Sequence, residues 1–198
     1  MVKAIANSSG LPIDVVDGDR SLVDTLPALD EVLDAYAPAL GHDFTSYRNH
    51  AYRIVNLCVR FVPADPLSLE KLAIAAAFHD LGIWTDHTFD YLQPSSGLAT
   101  AYLARTGRDE WTPEIVAMIL EHHKISPYRE RVFPLVEPFR RADWIDVTRG
   151  VRRFGLPRRV VRDLYDAWPS AGFHRRLIQL SLQRLRTHPR TPLPMLRL

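Results

Sequence analysis

His79 and Asp80 stand side by side at the end of the apolar run Leu72 to Phe78, and Leu81-Gly82 follows them. Neither side chain prefers burial without a partner, so an apolar helix that ends on this pair needs something to satisfy both. A cation would do so. Successive side chains on a helix diverge by about 100°, and two neighbours converge on one point only in a last turn, where Gly82 lets the chain turn away. The plainer alternative is a buried charge pair that caps the helix. His50 lies upstream on an apolar face with Ile54, Leu57, Cys58 and Phe61 at helical spacing, and Asp143 lies downstream among apolar neighbours. Two imidazoles and two carboxylates form a mixed nitrogen and oxygen set that suits Zn, Mn, Fe, Co or Ni. It suits Ca or Mg less, because those ions prefer oxygen alone.

The order His, His-Asp, Asp, with helical context around each member, resembles the HD-domain superfamily of metal-dependent phosphohydrolases. The resemblance spans about residues 43 to 150 and rests on three stretches. These are His50 with Arg53-Ile54-Val55, then Ala75-Ala76-Ala77-Phe78-His79-Asp80-Leu81-Gly82, then Arg141-Ala142-Asp143-Trp144-Ile145-Asp146. It implies an all-α fold and a first metal ion held by His50, His79, Asp80 and Asp143. Members with two ions carry further histidines before the last aspartate. Glu121-His122-His123-Lys124 supplies candidates, with His123 slightly ahead of His122. Ser95 stands where another such ligand is expected, and His87 is a substitute for it. Ile83 occupies the place, three residues beyond Asp80, where some nucleotidases of the superfamily carry a glutamate. Members that cleave cyclic dinucleotides carry a lysine where Ile83-Trp84 stands here.

A divalent ion with this ligation keeps open positions, where it binds a phosphate oxygen and brings the pKa of a bound water towards neutrality. The expected function is hydrolysis of a small phosphate ester, with nucleotides among the candidates. Acid or base work near the metal falls to Asp80, Asp86, His87 or His123, with His122 a further candidate. Phosphate needs cations, and Lys124 and Arg141 lead, with Arg48 behind them. Arg53, one turn from His50, is expected to bond a structural carboxylate instead. Trp84 is the candidate wall of a substrate pocket, in a polar and aromatic loop that runs to Tyr91. The runner-up function is an O2-dependent oxygenase with two Fe ions, as in some relatives of the superfamily. His122 and His123 favour it and Ser95 argues against it.

The elements that must place these residues read as helices over 21–39, 43–62, 68–81, 95–106, 112–124, 132–149, 157–167 and 172–187. Period-two alternation is scarce, so no sheet is expected. The expected organisation is one compact helical domain over residues 21–187, an irregular segment over 1–20 and an extended proline-rich tail over 188–198. With 198 residues the chain can bury a sizeable core, and 46% hydrophobic and 24% charged residues are ordinary for a globular protein. The single cysteine, Cys58, rules out an intrachain disulfide and fits a reducing compartment. No apolar stretch suits a membrane span and no signal peptide is evident, so the cytoplasm is expected. Twenty-two arginines against three lysines point to a GC-rich, bacterial coding genome.

Charge is uneven. Residues 140–198 hold 14 arginines and four acids, whereas residues 1–139 hold 11 basic and 19 acidic residues. The expected partner is a small phosphorylated or otherwise anionic molecule. Nucleic acid is not expected, because no aromatic-interleaved basic groove is visible, and the oligomeric state is left open.

Overall fold

The structure is a computed structural model and describes residues 21–196. The irregular segment expected over 1–20 and the last two residues of the tail lie outside the described residues. Among the described residues the chain is helical, with no strand: α1 (Pro27–Ala35), α2 (Ala37–Leu40), α3 (Phe44–Cys58), α4 (Pro66–Phe78), α5 (Gly82–Thr85), α6 (Leu92–Arg105), α7 (Thr112–Glu121), α8 (Val136–Val147), α9 (Arg158–Ala167) and α10 (Phe173–Thr187). No helix among them is long and apolar enough to cross a membrane.

The centre is built by α3 and α4. From Leu72 onward every residue of α4 is buried, and α3 is buried over nearly its whole length. A helix that is apolar all round must be wrapped by others. α4 is accordingly packed by α1, α3, α6 and α7, and α3 by α4 and α8. α9 and α10 lie against the outer part of α3.

Several helix limits differ from the sequence expectation, each for a local reason. α1 starts at Pro27, a residue pre-set for a first turn. The residues before it run alongside α3: Asn56 accepts from Val23 N–H (2.9 Å) and donates to the Val23 carbonyl (3.0 Å), while Tyr52 Oη accepts from Leu26 N–H (3.2 Å). α4 opens before Ser68, because the Asp65 carboxylate accepts the Ser68 N–H (2.9 Å) and Pro66 follows the cap. α6 begins before Pro94, which its first turn tolerates. α8 starts only at Val136, since Pro134 keeps the preceding residue out of the helical region. The tail also departs from the extended form. It bends at His188 to Thr191 and at Leu193 to Leu196, and it buries Met195.

Candidate metal centre

α4 stops at Phe78, and His79-Asp80-Leu81 makes a tight turn into α5. His79 N–H still reaches the Ala75 carbonyl (2.9 Å), but Leu81 N–H bonds Phe78 three residues back (3.0 Å). Side chains take over the backbone groups released by this tightening. The Tyr47 hydroxyl accepts Asp80 N–H (3.2 Å) and donates to the Ala77 carbonyl (3.1 Å), and His79 Nδ1 bonds the Ala76 carbonyl (2.8 Å). Gly82 was expected to let the chain depart from a helix end. It opens α5 instead, and what requires glycine there is space. A Cβ would stand 2.8 Å from the Tyr91 carbonyl oxygen and 2.9 Å from Pro94 Cβ. Ser95 accepts the Gly82 N–H (3.0 Å), so it holds α6 against the turn.

Around this turn the helices bring six side chains together. α3 contributes His50, the turn contributes His79 and Asp80, the end of α7 contributes His122 and His123, and α8 contributes Asp143. His50 Nε2 and His79 Nε2 are 3.0 Å apart. Asp80 lies 3.4 Å from His79 Nε2 through Oδ2 and 3.4 Å from His122 Nε2 through Oδ1. His50 Nε2 is 3.8 Å from both Asp80 and Asp143.

Proton placement on the three buried imidazoles follows from their other nitrogens. His79 Nδ1 and His122 Nδ1 face backbone carbonyls, Ala76 (2.8 Å) and Ile119 (2.7 Å), and a carbonyl can only accept. Both nitrogens therefore carry protons, and each Nε2 is left a bare lone pair in the neutral ring. His50 Nδ1 faces the Asp146 carboxylate at 2.6 Å with the same result. Three lone pairs thus point into one buried space, two of them 3.0 Å apart. Asp80 Oδ1, His122 Nε2 and both Asp143 oxygens are buried there without a hydrogen-bond partner. Unsatisfied buried polar atoms are rare in native proteins, and four facing one another have a common physical solution in a cation. The buried His and Asp groups can hold a metal ion. The donor atoms of His50, His79 and Asp80, of His79, His122 and Asp143, and of Asp80, His122 and His123 each lie within 4.8 Å of one another.

His123 meets the same space differently. Its Nδ1 is 3.2 Å from Asp143 Oδ2 and its Nε2 is 2.7 Å from the Tyr91 hydroxyl. It is also the most exposed member, at 13% of its side chain, against 4% or less for the others. The geometry reverses the order expected for the pair: His122 aims a bare nitrogen at the cluster, and His123 stands at its edge.

Burial keeps two of the imidazoles neutral. Burial pushes His50 down to about 4 against the pull of Asp146, and burial pushes His123 down to about 4 as well. Both are neutral, as ligands must be. Burial raises the Asp80 carboxyl, and the group is held well below the usual carboxylate range only while the His79 and His122 rings beside it carry positive charge. Asp143 is pushed up to about 7, chiefly by burial. Asp146 is also penalised by burial, yet Arg53 and the bond from His50 hold it well below its ordinary value.

Sequence reasoning missed the role of Asp146. Arg53 donates to it through Nε (2.6 Å) and Nη2 (3.0 Å), and Arg53 Nη1 bonds the Trp168 carbonyl (2.7 Å). Arg53 thus bonds a structural carboxylate, and that carboxylate orients His50. A signal was present, because His50 and Arg53 are three residues apart on one helix, as are Asp143 and Asp146 on another. Tyr47 and Tyr91 were also missed, as was Phe173 at the start of α10, which stacks on His50 with ring centroids 4.0 Å apart.

Other expected site residues are placed away from the cluster. Arg48 is tied to Asp30 (2.8 and 3.2 Å) and lies over the Tyr52 ring. Arg141 donates to Glu137 (2.7 Å), and Lys124 Nζ stands 3.6 Å from Glu121. Each of these three cations, expected to hold substrate, has a carboxylate partner instead. Trp84 is buried against Tyr47 (4.8 Å between centroids) and donates to Asp43 (3.0 Å), so it supports the turn rather than walling a pocket. Asp86 and His87 are exposed. The Asp86 carboxylate accepts from the Thr85 hydroxyl (2.7 Å), and no hydrogen bond joins either residue to the cluster.

Comparison with protein-family models, with curated proteins and with solved structures gives no match for this chain.

Proposed function

We propose that this centre binds a divalent transition-metal ion, one of Mn, Fe, Co, Ni or Zn, and hydrolyses a small phosphate ester, a nucleotide being one candidate. The observation that carries the proposal is the convergence of three Nε2 lone pairs and two carboxylates, among which His122 Nε2, Asp80 Oδ1 and both Asp143 oxygens have no hydrogen-bond partner. His50, His79, Asp80, His122 and Asp143 would hold the ion. When bound, such an ion supplies Lewis acidity to a phosphate oxygen and to water.

The chain's own residues do the rest. Asp146, the Ala76 carbonyl and the Ile119 carbonyl each fix one imidazole by its Nδ1 proton, which sets the tautomer the ligand needs. Tyr47 holds the His-Asp turn. His123, the member nearest solvent, bridges Asp143 and the Tyr91 hydroxyl, and is placed to pass a proton between the buried carboxylate and a substrate at its edge. The test is metal content per chain followed by a phosphate-ester screen. About one ion per chain is expected, and Asp80→Ala should lose both metal and hydrolysis. Full phosphatase activity in that variant would refute the reading.

The second reading, an oxygenase with two Fe ions, is favoured by one observation. Asp80, His122 and His123 form a further donor group beside the first. About two irons per chain with O2 uptake would replace hydrolysis by oxidation.

A further inference from the structure

The structure gathers four arginines of the basic third of the chain at one place. Of the four acids after residue 139, Asp143 and Asp146 are buried in the metal centre, which leaves few carboxylates for the arginines of that third of the chain. The loop from α8 to α9 and the first turns of α9 line an open surface cavity of about 500 Å³, with Arg149, Arg153, Arg158 and Arg162 around it beside Tyr165 and Val151. Among the described residues, only Arg162 has a carboxylate there, at Asp163 (2.9 Å). Arg153 donates to the Gly150 carbonyl (2.8 Å) and Arg149 lies 5.7 Å above the Tyr165 ring, neither of which cancels a charge. The Arg158 guanidinium has no acceptor among the described residues.

The loop that presents these groups is held in an uncommon shape. Arg149 (φ 51°) and Phe154 (φ 47°) adopt the left-handed region, where residues other than glycine are disfavoured. Gly150 follows at φ 75°, and a Cβ there would meet Val161 of α9 at 3.0 Å. Arg149 N–H and Gly150 N–H are both bonded back to α8, at 2.8 Å each. A strained, anchored loop that crowds like charges around a cavity is poorly explained by stability, because the guanidinium groups repel one another. An anion with several negative charges relieves that repulsion, and planar guanidinium forks match phosphate oxygens two at a time.

We propose that this cavity is a second ligand site, separate from the metal centre, that binds the di- or triphosphate group of a small molecule. The probe is inorganic triphosphate, titrated calorimetrically into the full chain as purified. One arginine-dependent triphosphate per chain is expected, apart from any bound at the metal centre, and held more weakly as salt rises. Arg153→Ala with Arg158→Ala should weaken it tenfold or more, and the lysine pair at the same positions should fall between, keeping charge but losing the fork. Asp80→Ala should keep the arginine-dependent site, and Arg105→Ala, on a distant helix, serves as a control. The proposal is overturned if no saturable binding occurs, or if binding survives in the arginine variant and is lost in Asp80→Ala, since the probe then sits at the metal centre. It is equally overturned if a single-stranded oligonucleotide binds more tightly than triphosphate with the same arginine dependence, which would make this a nucleic-acid surface.

Discussion

Asp146→Asn separates what holds the fold from what orients the metal ligands. Asp146 and Arg53 are fully buried, and the carboxylate accepts from Arg53 at 2.6 and 3.0 Å and faces His50 Nδ1 at 2.6 Å. The substitution strips a buried guanidinium of its counter-charge and leaves it one amide oxygen beside the Trp168 and Pro169 carbonyls, at 2.7 and 3.4 Å. Removing one partner of a buried pair costs about 3–5 kcal/mol, a large share of the roughly 5–15 kcal/mol that holds a domain together. Loss of the group that orients a ligating imidazole weakens metal binding about 10- to 100-fold. Urea unfolding reads the first effect, and a metal titration against a competing chelator reads the second. Adding Arg53→Met removes the stranded charge, so the double variant should regain most of the stability, because an apolar replacement of a buried pair is often close to neutral. Its metal affinity should stay low, since His50 still lacks its ionised acceptor. The reasoning fails if Asp146→Asn lies within about 1 kcal/mol of the parent with unchanged metal affinity, or if the double variant recovers that affinity.

Tyr47→Phe removes the acceptor of Asp80 N–H and the donor to Ala77, and should cost about 1–3 kcal/mol together with metal affinity; an unchanged urea midpoint would show that the turn stands without it. Gly82→Ala should destabilise by about 1–3 kcal/mol through the forced contact with Tyr91 and Pro94, and a more stable protein would mean that α6 yields freely. Metal-free protein should gain stability between about pH 4 and pH 6.5. His50 and His123, held at about 4 when folded, take up protons over that window only on unfolding, where histidine titrates near 6.5. Asp143, held at about 7, opposes them by keeping in the folded chain a proton that the unfolded chain loses. Two against one leaves about one proton more on the unfolded chain, a rise of up to about 1.4 kcal/mol per pH unit. Urea unfolding in chelator across that range tests it, and a flat or falling stability would contradict the burial of these rings as the cause.

The all-α class was legible because apolar periodicity and proline positions are local signals, and the candidate metal-ligating residue types were legible because an acid and a histidine rarely end an apolar helix without a reason. What the sequence hid depends on contacts between helices. Helix α4 was expected to run through Asp80, and nothing local stops it at Phe78. It ends there because Tyr47, 33 residues earlier, satisfies the backbone groups that the tighter turn releases. His122 and His123 are neighbours at one helix end, so which of them turns a bare nitrogen inward is decided by the packing of α7 on α4 and α8. The cations beside the motif misled for a related reason. Proximity in sequence to a ligand says little about an arginine when its carboxylate is supplied by another helix, as Asp30 is to Arg48. Arg141 could have been read correctly, since Glu137 lies four residues before it on the same face of α8. The same accounting, applied to every arginine after residue 139, leaves Arg149, Arg153 and Arg158 around one cavity without a carboxylate among the described residues. A guanidinium without a carboxylate among the described residues is a better guide to a ligand than one that merely lies near a motif.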